Sequence, residues 1–455
     1  MNLTERIAEY IANTGLEDFP PDAIDAAKAA ITDCLGCALA GSREPLADVL
    51  CDYITSLGGM PQATVIGRGF KTTSLEAALV NGAMSHALDY DDVTFITKTH
   101  PSAALIPGAL PLAEEVGATG GELLLSYLLG FEVACAVGDA ISPAYYDDLG
   151  WHPTGPLGAL GAAAAAARLL RLSPEQTAMA VSLAASQASG LRQNFGTMTK
   201  PYHAGAACRA GVNAAKLVRA GFTASDDALE GRFGFMRAFS GGNGYDPDKA
   251  AASLGSRCFM VESGIEIKKY PCCGSAHLAL DATSQLLRRE SFSAGDVDYI
   301  DVLVDFDPPR SLIHSRPTGG LEGKFSMQYC LAAEIIDGQI GLDSFSDEQV
   351  MRSEAQTLIP RIEMRRHPGY EGQLSWTEAH NRVDVHLKDG RVLTERADRA
   401  TTGALRGVTR DDVRVKFLDC ANVALNSQDA EAALEMLDGL EEVGPVGPLA
   451  DLLGG

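Results

Sequence analysis

Basic residues are scarce in this sequence of 455 residues. Lysine and arginine number 37 against 60 aspartates and glutamates, which gives a formal net charge of −23. Nucleic acids and anionic membrane surfaces repel such a chain, so we expect no nucleic acid and no membrane as a partner. Small anionic substrates are not excluded, because a pocket can be locally basic on an acidic protein.

Cysteines and uncharged apolar runs are also few. Ten cysteines without the spacing of a disulfide framework favour a reduced, cytoplasmic compartment. The N-terminus MNLTERIAEYIANTG predicts an amphipathic helix rather than a signal peptide. The most apolar stretch, GELLLSYLLGFEVACAVGDAI, is interrupted by Glu132 and bounded by Asp139, so it falls short of an uncharged membrane span.

The usual signatures of bound cofactors are missing. GPLGALG has neither the spacing nor the preceding strand of a dinucleotide-binding fingerprint, and neither a phosphate-binding loop nor a GxSxG motif occurs. In PCCGSAH, the adjacent Cys272 and Cys273 are poorly placed to chelate one zinc ion. We therefore predict a protein that uses no cofactor and no metal.

Helical patterns, in contrast, fill the first part of the chain. Ser173 and Gln176 have the spacing of a capping box, with Pro174 at the first helical position. The Ala- and Gly-rich stretches GPLGALGAAAAAARLL and HAGAACRAGVNAAKLVRAG predict helices that pack closely in a crowded bundle. Residues 1–267 are therefore predicted to form a large all-helical domain.

The character of the sequence changes near residue 268. VDYIDVLVDF is typical of a strand, and VDVHLKDGRVLTERAD predicts a hairpin that turns at Asp389-Gly390. We predict a smaller α+β lid domain over residues 268–401, and C-terminal helices over 402–455 that return to the helical domain. The final VGPVGPLADLLGG is expected to be loose. The predicted fold class is thus mainly α.

The stretch LDYDDVTFITKTHPS places three acids within four positions, with His100 eleven residues after the first of them. We predict a helix that closes at Asp89, so that His86 and Asp89 share one face. Acids at a helix C-terminus oppose the helix dipole, so other groups should hold them. This favours a proton-handling site over a solvated helix end, with Asp91 and Asp92 capping or hydrogen-bonding the loop.

Further candidates stand at other predicted helix starts. Lys200 precedes a helix expected to begin near Pro201, and a lysine beside a helix N-terminus is suited to bind a carboxylate or a phosphate. His203 follows in the same helix. His152 lies next to a tryptophan, where a histidine is more often a packed core residue than a catalyst. Histidines that move protons and a lysine that binds anionic oxygen suit metal-free acid–base chemistry on a small carboxylate.

Five ordered segments carry a resemblance to a known family. HALDYDD with THPS, GWHPT, GTMTKPYHAGAACRAG, IKKYPCCGSAH and KFSMQYCLAA resemble the MmgE/PrpD family over nearly the whole chain. The resemblance implies a helical domain built from both chain ends, a lid domain, and a metal-free site between them in a homodimer. The family's catalytic residues fall on Asp89, His100, His152, Lys200 and His277. Substrate contacts are expected from Thr94, His203 and Tyr329.

The family's dehydratases, decarboxylases and epimerases share one first step, the removal of a weakly acidic proton or of a carboxylate. The favoured prediction is a cofactor-free lyase that carries out a 2-methylcitrate-like dehydration of a hydroxylated di- or tricarboxylate. The alternatives are an iminodisuccinate-like epimerase and a cis-aconitate-like decarboxylase. Decarboxylases of the family place threonine directly after the aspartate run, whereas Val93 stands there in this chain. A non-catalytic protein that binds organic anions is the third alternative, but mere binding does not need several imidazoles.

Overall fold

The computed structural model of the chain describes residues 1–368, 380–398 and 408–455. These residues form mainly helices, with one two-stranded and one four-stranded sheet. The prediction of a mainly α protein with a smaller α+β part is confirmed. The predicted domain boundary at 401 lies outside the described residues.

The first part of the chain is a body of packed helices. Its helices are α1 (Leu3–Asn13), α2 (Pro21–Gly41), α3 (Pro45–Leu57), α4 (Ser74–Ser85), α5 (Pro101–Val116), α6 (Gly120–Asp139), α7 (Ala144–Asp147), α8 (Thr154–Leu169), α9 (Pro174–Ala185), α10 (Thr199–Arg219), α11 (Phe235–Phe239), α12 (Pro247–Ser253) and α13 (Phe259–Glu262). A short hairpin of β1 (Ala63–Val65) and β2 (Phe70–Thr72) lies between α3 and α4. The capping box predicted at Ser173 and Gln176 is present at the start of α9.

Glycines let α4 and α10 approach each other backbone to backbone. A Cβ added to Gly82 would lie 2.7 Å from the Cα of Gly205, and one added to Gly205 would lie 2.0 Å from the carbonyl oxygen of Leu79. No side chain fits between the two helices at this point. The contact joins the end of α4 to the beginning of α10, and it thereby brings Lys200 beside the loop that follows α4.

The end of the chain packs into the same hydrophobic core. Three helices, Arg410–Ala421, Ser427–Asp438 and Gly447–Gly454, contribute buried residues such as Phe417 and Leu434 to the core of the helical body. The expectation of a loose tail was wrong, because Leu449 and Leu453 are fully buried in the last helix. Burying one such leucine side chain contributes about 1.5–3 kcal/mol.

The remaining elements form a second core around a four-stranded sheet. They are α14 (His277–Arg289), β3 (Val297–Val304), α15 (Gly320–Gly323), α16 (Met327–Asp337), α17 (Asp347–Met351), α18 (Ser353–Leu358), β4 (Ile362–Arg366), β5 (His380–Leu387) and β6 (Val392–Asp398). The strand order is β4-β3-β5-β6, with β3 and β4 parallel and the other pairs antiparallel. The hairpin predicted at Asp389-Gly390 is confirmed by the β5–β6 pairing. We call this α+β part the lid.

Helix α6 is long and apolar enough to cross a membrane, but 89% of its most apolar window is buried inside the protein. That burial is typical of the core helix of a soluble protein. No other helix within the described ranges reaches the same length and hydropathy.

Candidate active site

The loop after α4 begins earlier than the sequence predicts. α4 ends at Ser85 and His86 is its C-cap, whereas the predicted helix continued to Asp89. Asp89 has a φ of 51°, in the left-handed region that residues other than glycine adopt rarely. Because α4 ends before Asp89, Asp91 and Asp92, these three carboxylates lie in the loop and not in the last helical turn, where the helix dipole would disfavour them. His86 and Asp89 therefore do not meet across a helical turn.

Two buried ammonium groups hold the Asp89 carboxylate. Asp89 Oδ1 lies 2.6 Å from Lys200 Nζ and 3.1 Å from Lys268 Nζ, and all three side chains are buried. Burial alone would raise the pKa of Asp89, but the two lysines outweigh it and hold that pKa far below its usual value. One carboxylate against two ammonium groups leaves this end of the site positively charged.

Asp91 bridges two histidines beneath this cluster. Its carboxylate lies 2.9 Å from His86 Nδ1 and 3.2 Å from His100 Nδ1. Lys200 Nζ lies 2.8 Å from His86 Nε2, and an ammonium can only donate, so His86 Nε2 accepts and its proton sits on Nδ1. Burial, followed by the charge of Lys200, lowers the pKa of His86 to about 3 despite the opposing effect of Asp91. His86 is therefore neutral and serves to orient Lys200.

Asp92 has a separate, structural environment. Its carboxylate accepts hydrogen bonds from the backbone N–H and the hydroxyl of Ser102, in the first turn of α5. Burial raises the pKa of Asp92 well above its usual value. The sequence-based interpretation of Asp92 as a residue that caps the loop agrees with these bonds.

His100 and His152 face the space between the helical body and the lid. His100 is the N-cap of α5, and its Nε2 lies 3.8 Å from Asp89 Oδ1. His152 Nδ1 lies 3.0 Å from His203 Nδ1, while its buried Nε2 has no hydrogen-bond partner among the described residues. Burial lowers the pKa of all three imidazoles, and that of His203 to about 4. An unsatisfied buried nitrogen costs about 1–3 kcal/mol, so His152 Nε2 is poised to take a ligand atom.

These groups line a cavity of about 860 Å³ between the helical body and the lid. Its charged lining residues are five cations, Lys98, Arg192, Lys200, Lys268 and Arg310, and five acids, Asp89, Asp147, Glu262, Asp305 and Asp307. Beside the imidazoles, two of the cations, Lys200 and Lys268, face the single carboxylate of Asp89. Apolar walls come from both parts of the molecule, for example Phe195 of the body and Phe325 of the lid. A concave site with clustered cations and neutral imidazoles is suited to a small polyanion that exchanges a proton.

Three consecutive carbonyl oxygens of the loop each accept a hydrogen bond from a lysine, and we call them the carbonyl row. Leu88 O lies 3.2 Å from Lys324 Nζ of the lid. Asp89 O lies 2.8 Å from Lys268 Nζ, and Tyr90 O lies 2.7 Å from Lys416 Nζ of the helix Arg410–Ala421. Three distant parts of the chain thus fix the backbone that carries Asp89.

The predicted site residues divide into two groups. Five of them gather at the cavity or directly behind it, namely Asp89, His100, His152, Lys200 and His203. His277 lies in the first turn of α14 with Nε2 3.2 Å from the carbonyl oxygen of Cys272. Tyr329 packs in the lid core, where its hydroxyl donates to the carbonyl of Ser344. Thr94 is buried, and its backbone N–H donates to Thr99 O. The roles expected for all eight residues stay predictions.

Lys268 is the main residue that sequence reasoning did not single out. It lies within the segment IEIKKYPCCGSAH, whose two cysteines and histidine are the more conspicuous candidates in the sequence. The sequence does contain a signal for this residue. Lys268 and Lys269 are adjacent lysines at the predicted start of the lid domain, where a site between the two domains would lie. Arg192 was missed as well, and its guanidinium donates to the carbonyls of Tyr146 and Arg310 at the cavity wall.

The same cluster contains atoms that could in principle bind a metal. Ligand atoms of His86, Asp89, Asp91 and His100 lie within 4.8 Å of one another. An ammonium group already occupies two of these ligand atoms, since Lys200 Nζ contacts both His86 Nε2 and Asp89 Oδ1. A divalent cation placed among these atoms would meet two lysine charges, which disfavours its binding.

Comparison with known proteins finds one family in both parts of the chain. Residues 5–248 match the MmgE/PrpD N-terminal domain, and residues 270–442 match the MmgE/PrpD C-terminal domain. A cis-aconitate decarboxylase of Aspergillus terreus is 27% identical over 474 aligned residues, which cover 99% of this chain and 96% of that protein. The cis-aconitate decarboxylases of Homo sapiens and Mus musculus are 27% and 28% identical over 100% of this chain and 95% and 94% of theirs.

Proposed function

The chain belongs to the MmgE/PrpD family and is a lyase acting on a carboxylate, and we propose that it decarboxylates a small unsaturated tricarboxylate of the cis-aconitate type without a cofactor. The full-length relatives support this outcome over the 2-methylcitrate-like dehydration that the sequence alone favoured. The observation that carries the proposal is the pair of ammonium groups on one oxygen of Asp89, beside neutral imidazoles at a cavity wall.

Substrate binding uses the hydrogen-bonding capacity that the two lysines retain. Lys200 donates to Asp89 and to His86, and Lys268 donates to the carbonyl of Asp89 and forms an ion pair with its carboxylate. An ammonium has three N–H donors, so each lysine has one N–H left for a substrate carboxylate. Because the site is buried, such a charge-assisted hydrogen bond is stronger than it would be in water.

The bond-breaking step follows from the chemistry of an unsaturated acid. The C–C bond to a carboxylate on the carbon beside the double bond breaks, and CO2 leaves. The electron pair forms a new double bond, and the far alkene carbon becomes a carbanion next to another carboxylate. That carboxylate takes up the charge, and the ammonium groups of Lys200 and Lys268 stabilise it.

A proton on the far carbon completes the reaction, and we assign its delivery to His100. The Asp91 carboxylate lies 3.2 Å from Nδ1 of His100, and Nε2 of the same ring lies 3.8 Å from Asp89 Oδ1 at the cavity. His100 is neutral in the empty site, because burial lowers its pKa. An entering polyanion raises the pKa of the imidazole, so His100 takes up a proton as substrate binds and returns it to the carbanion.

Dehydration of a 2-methylcitrate-like hydroxy acid is the second candidate. Val93 lines the cavity at the position where decarboxylases of the family are expected to carry threonine. An apolar group there removes one hydroxyl from the substrate pocket. A neutral imidazole would then take the proton from the carbon beside a carboxylate, and a protonated imidazole would give its proton to the departing hydroxyl, so that water leaves in place of CO2.

The reaction is tested by incubating the purified protein with cis-aconitate, 2-methylcitrate, citrate and iminodisuccinate in D2O, with NMR as the readout. The proposal expects CO2 and a terminal methylene alkene from cis-aconitate, with one deuterium on the neighbouring CH2 group. The Lys200→Met protein serves as the inactive control. Loss of water from 2-methylcitrate without CO2 from cis-aconitate would establish the second candidate instead.

Two further properties belong to the proposal. All ten cysteines are free thiols, which supports a location in the reducing cytoplasm. The homodimer implied by the family resemblance is checked by light scattering of the purified protein, where a mass of one chain would contradict it.

A further inference from the structure

We propose that Lys416, which lies outside the cavity lining, is a positioning residue that sets the contact between Asp89 and Lys268. The inference rests on the proposed function in taking these two residues as part of the substrate site. Lys416 belongs to the helix Arg410–Ala421, whose buried residues pack into the helical body.

The Lys416 ammonium joins two backbone segments at one point. Its Nζ donates to Tyr90 O at 2.7 Å and to Lys268 O at 2.9 Å. Nζ also lies 2.6 Å from Asp33 Oδ1 of α2 and 3.7 Å from the centre of the Tyr90 ring. Two N–H donors of the ammonium are directed at the two carbonyls, and the ion pair with Asp33 holds its charge from a third side, so its position is fixed.

These two carbonyls belong to the residues that matter most for the site. Tyr90 directly follows Asp89, and Lys268 O is on the same residue whose Nζ binds both the carbonyl and the carboxylate of Asp89. Lys416 therefore holds the backbones on both sides of that contact. Without this bond, the loop and the segment before the lid would each be free to shift, and a displacement of about 1 Å is enough to lower a rate by about a hundredfold.

Asp33 provides the negative charge that compensates the buried ammonium of Lys416. Its side chain is inaccessible to solvent, and Lys416 counters the rise in pKa that burial imposes on it. Removing only one partner would leave the other charge buried without compensation and would test stability rather than positioning. The pair must therefore be neutralised together.

The main variant is Asp33→Asn with Lys416→Gln, which keeps polar groups of similar size and removes both charges. Its matched control is Glu115→Gln with Lys216→Gln, a pair on α5 and α10 whose charged atoms are 2.7 Å apart. The control loses a partly buried ion pair that touches none of the site residues. We expect the turnover number of the main variant to fall about a hundredfold and that of the control to stay unchanged.

A second readout does not depend on the substrate. The charged and titratable groups around His100 are Asp89, Asp91, His86, His152, Lys200 and Lys268. The Lys268 ammonium lowers the pKa of His100. If Lys268 withdraws in the main variant, the NMR titration of the His100 ring moves to higher pH, and the control titrates as the unaltered protein does. This shift is expected whichever carboxylate the enzyme uses, so it separates a failure of this inference from a failure of the proposed reaction.

An unchanged His100 titration and unchanged turnover in a folded main variant would overturn the positioning role. Should the main variant not fold, Lys416→Arg decides the question. Arginine retains the charge that Asp33 needs, but its larger planar group cannot take the position of a compact ammonium between the two carbonyls and Asp33 without displacing them. The same upward shift of the His100 titration is expected there, and its absence would refute the proposal.

Discussion

Lys200→Met removes one of the two ammonium groups from the candidate active site and leaves a side chain of similar length. Lys200 Nζ contacts Asp89 Oδ1 at 2.6 Å and His86 Nε2 at 2.8 Å. Asp89 does not become an unpaired buried charge, because Lys268 Nζ remains 3.1 Å from the same oxygen. The fold should therefore survive the substitution, and the effect should appear in catalysis.

The size of the effect follows from the burial of the lysine. Lys200 is only 3% exposed, so little solvent can replace its charge when the carbanion forms. Losing one such donor of transition-state stabilisation typically costs about 2.7–4 kcal/mol, which is a loss of about a hundredfold to a thousandfold in kcat. We expect this loss for Lys200→Met with the substrate that the NMR assay identifies.

The assay measures kcat and the melting temperature of Lys200→Met and of Lys216→Met. Lys216 lies on the same helix and pairs with Glu115, far from the cavity lining, so its replacement controls for the loss of a helix lysine. The control should keep its kcat. A folded Lys200→Met protein with near-normal kinetics would refute the electrostatic role of Lys200 and, with it, the proposed stabilisation of the carbanion.

The other predictions concern the imidazoles, the carboxylate, metals and pH. His100→Ala should lower kcat by about 10²–10⁴-fold with little change in melting temperature, and unaltered turnover would move the proton donor elsewhere. Asp89→Asn should abolish most activity and lower the melting temperature of a still folded protein, because two buried lysines lose the anion that orders and compensates them; activity that survives in the folded variant would show that the carboxylate is not needed for catalysis. Prolonged treatment with EDTA should leave activity intact, and a loss that one divalent ion restores would recast Asp89 as a metal ligand. Finally, burial lowers the pKa of His203 in the folded protein from the ordinary 6.5 to about 4. Between these two pH values the unfolded chain binds a proton at His203 and the folded protein does not. The free energy of unfolding should therefore fall as the pH drops from 6.5 towards 4. His203→Asn should show a shallower fall in melting temperature over that range, and an identical slope would contradict the assignment.

Local patterns predicted local structure well in this chain. Asp389-Gly390 between two alternating runs indicated a hairpin, and β5 and β6 form it. The capping box at Ser173 likewise starts α9 where expected. Such signals are reliable because the interactions that decide them lie within a few residues of each other.

The end of α4 shows where this reasoning stops. Periodicity alone carried the predicted helix to Asp89, but the chain leaves the helix at Ser85 and Asp89 adopts a left-handed backbone. The deciding interactions come from Lys200 and Lys268, which are distant in sequence. No pattern within the segment reports them, so tertiary contacts overrode the local preference.

The candidate site was predicted only in part, for the same reason. Lys200 was recognisable from its position before a predicted helix and His100 from the acidic stretch that precedes it, and the structure brings both to one cavity. The unfilled Nε2 of His152 and the second ammonium of Lys268 depend on packing between the body and the lid. The tryptophan beside His152 even favoured a buried core residue.

The carbonyl row has a consequence for how the protein matures during synthesis. The loop that carries Asp89 emerges from the ribosome early, but the lysines that bind Leu88, Asp89 and Tyr90 follow much later, and Lys416 comes last. Helices of the body can form from local sequence before then, whereas the loop reaches its final geometry only after nearly the whole chain has been made. A chain that is terminated before Lys416 would therefore contain most of the helical body but would not hold the Asp89 loop in its final geometry, and we expect such a chain to be inactive.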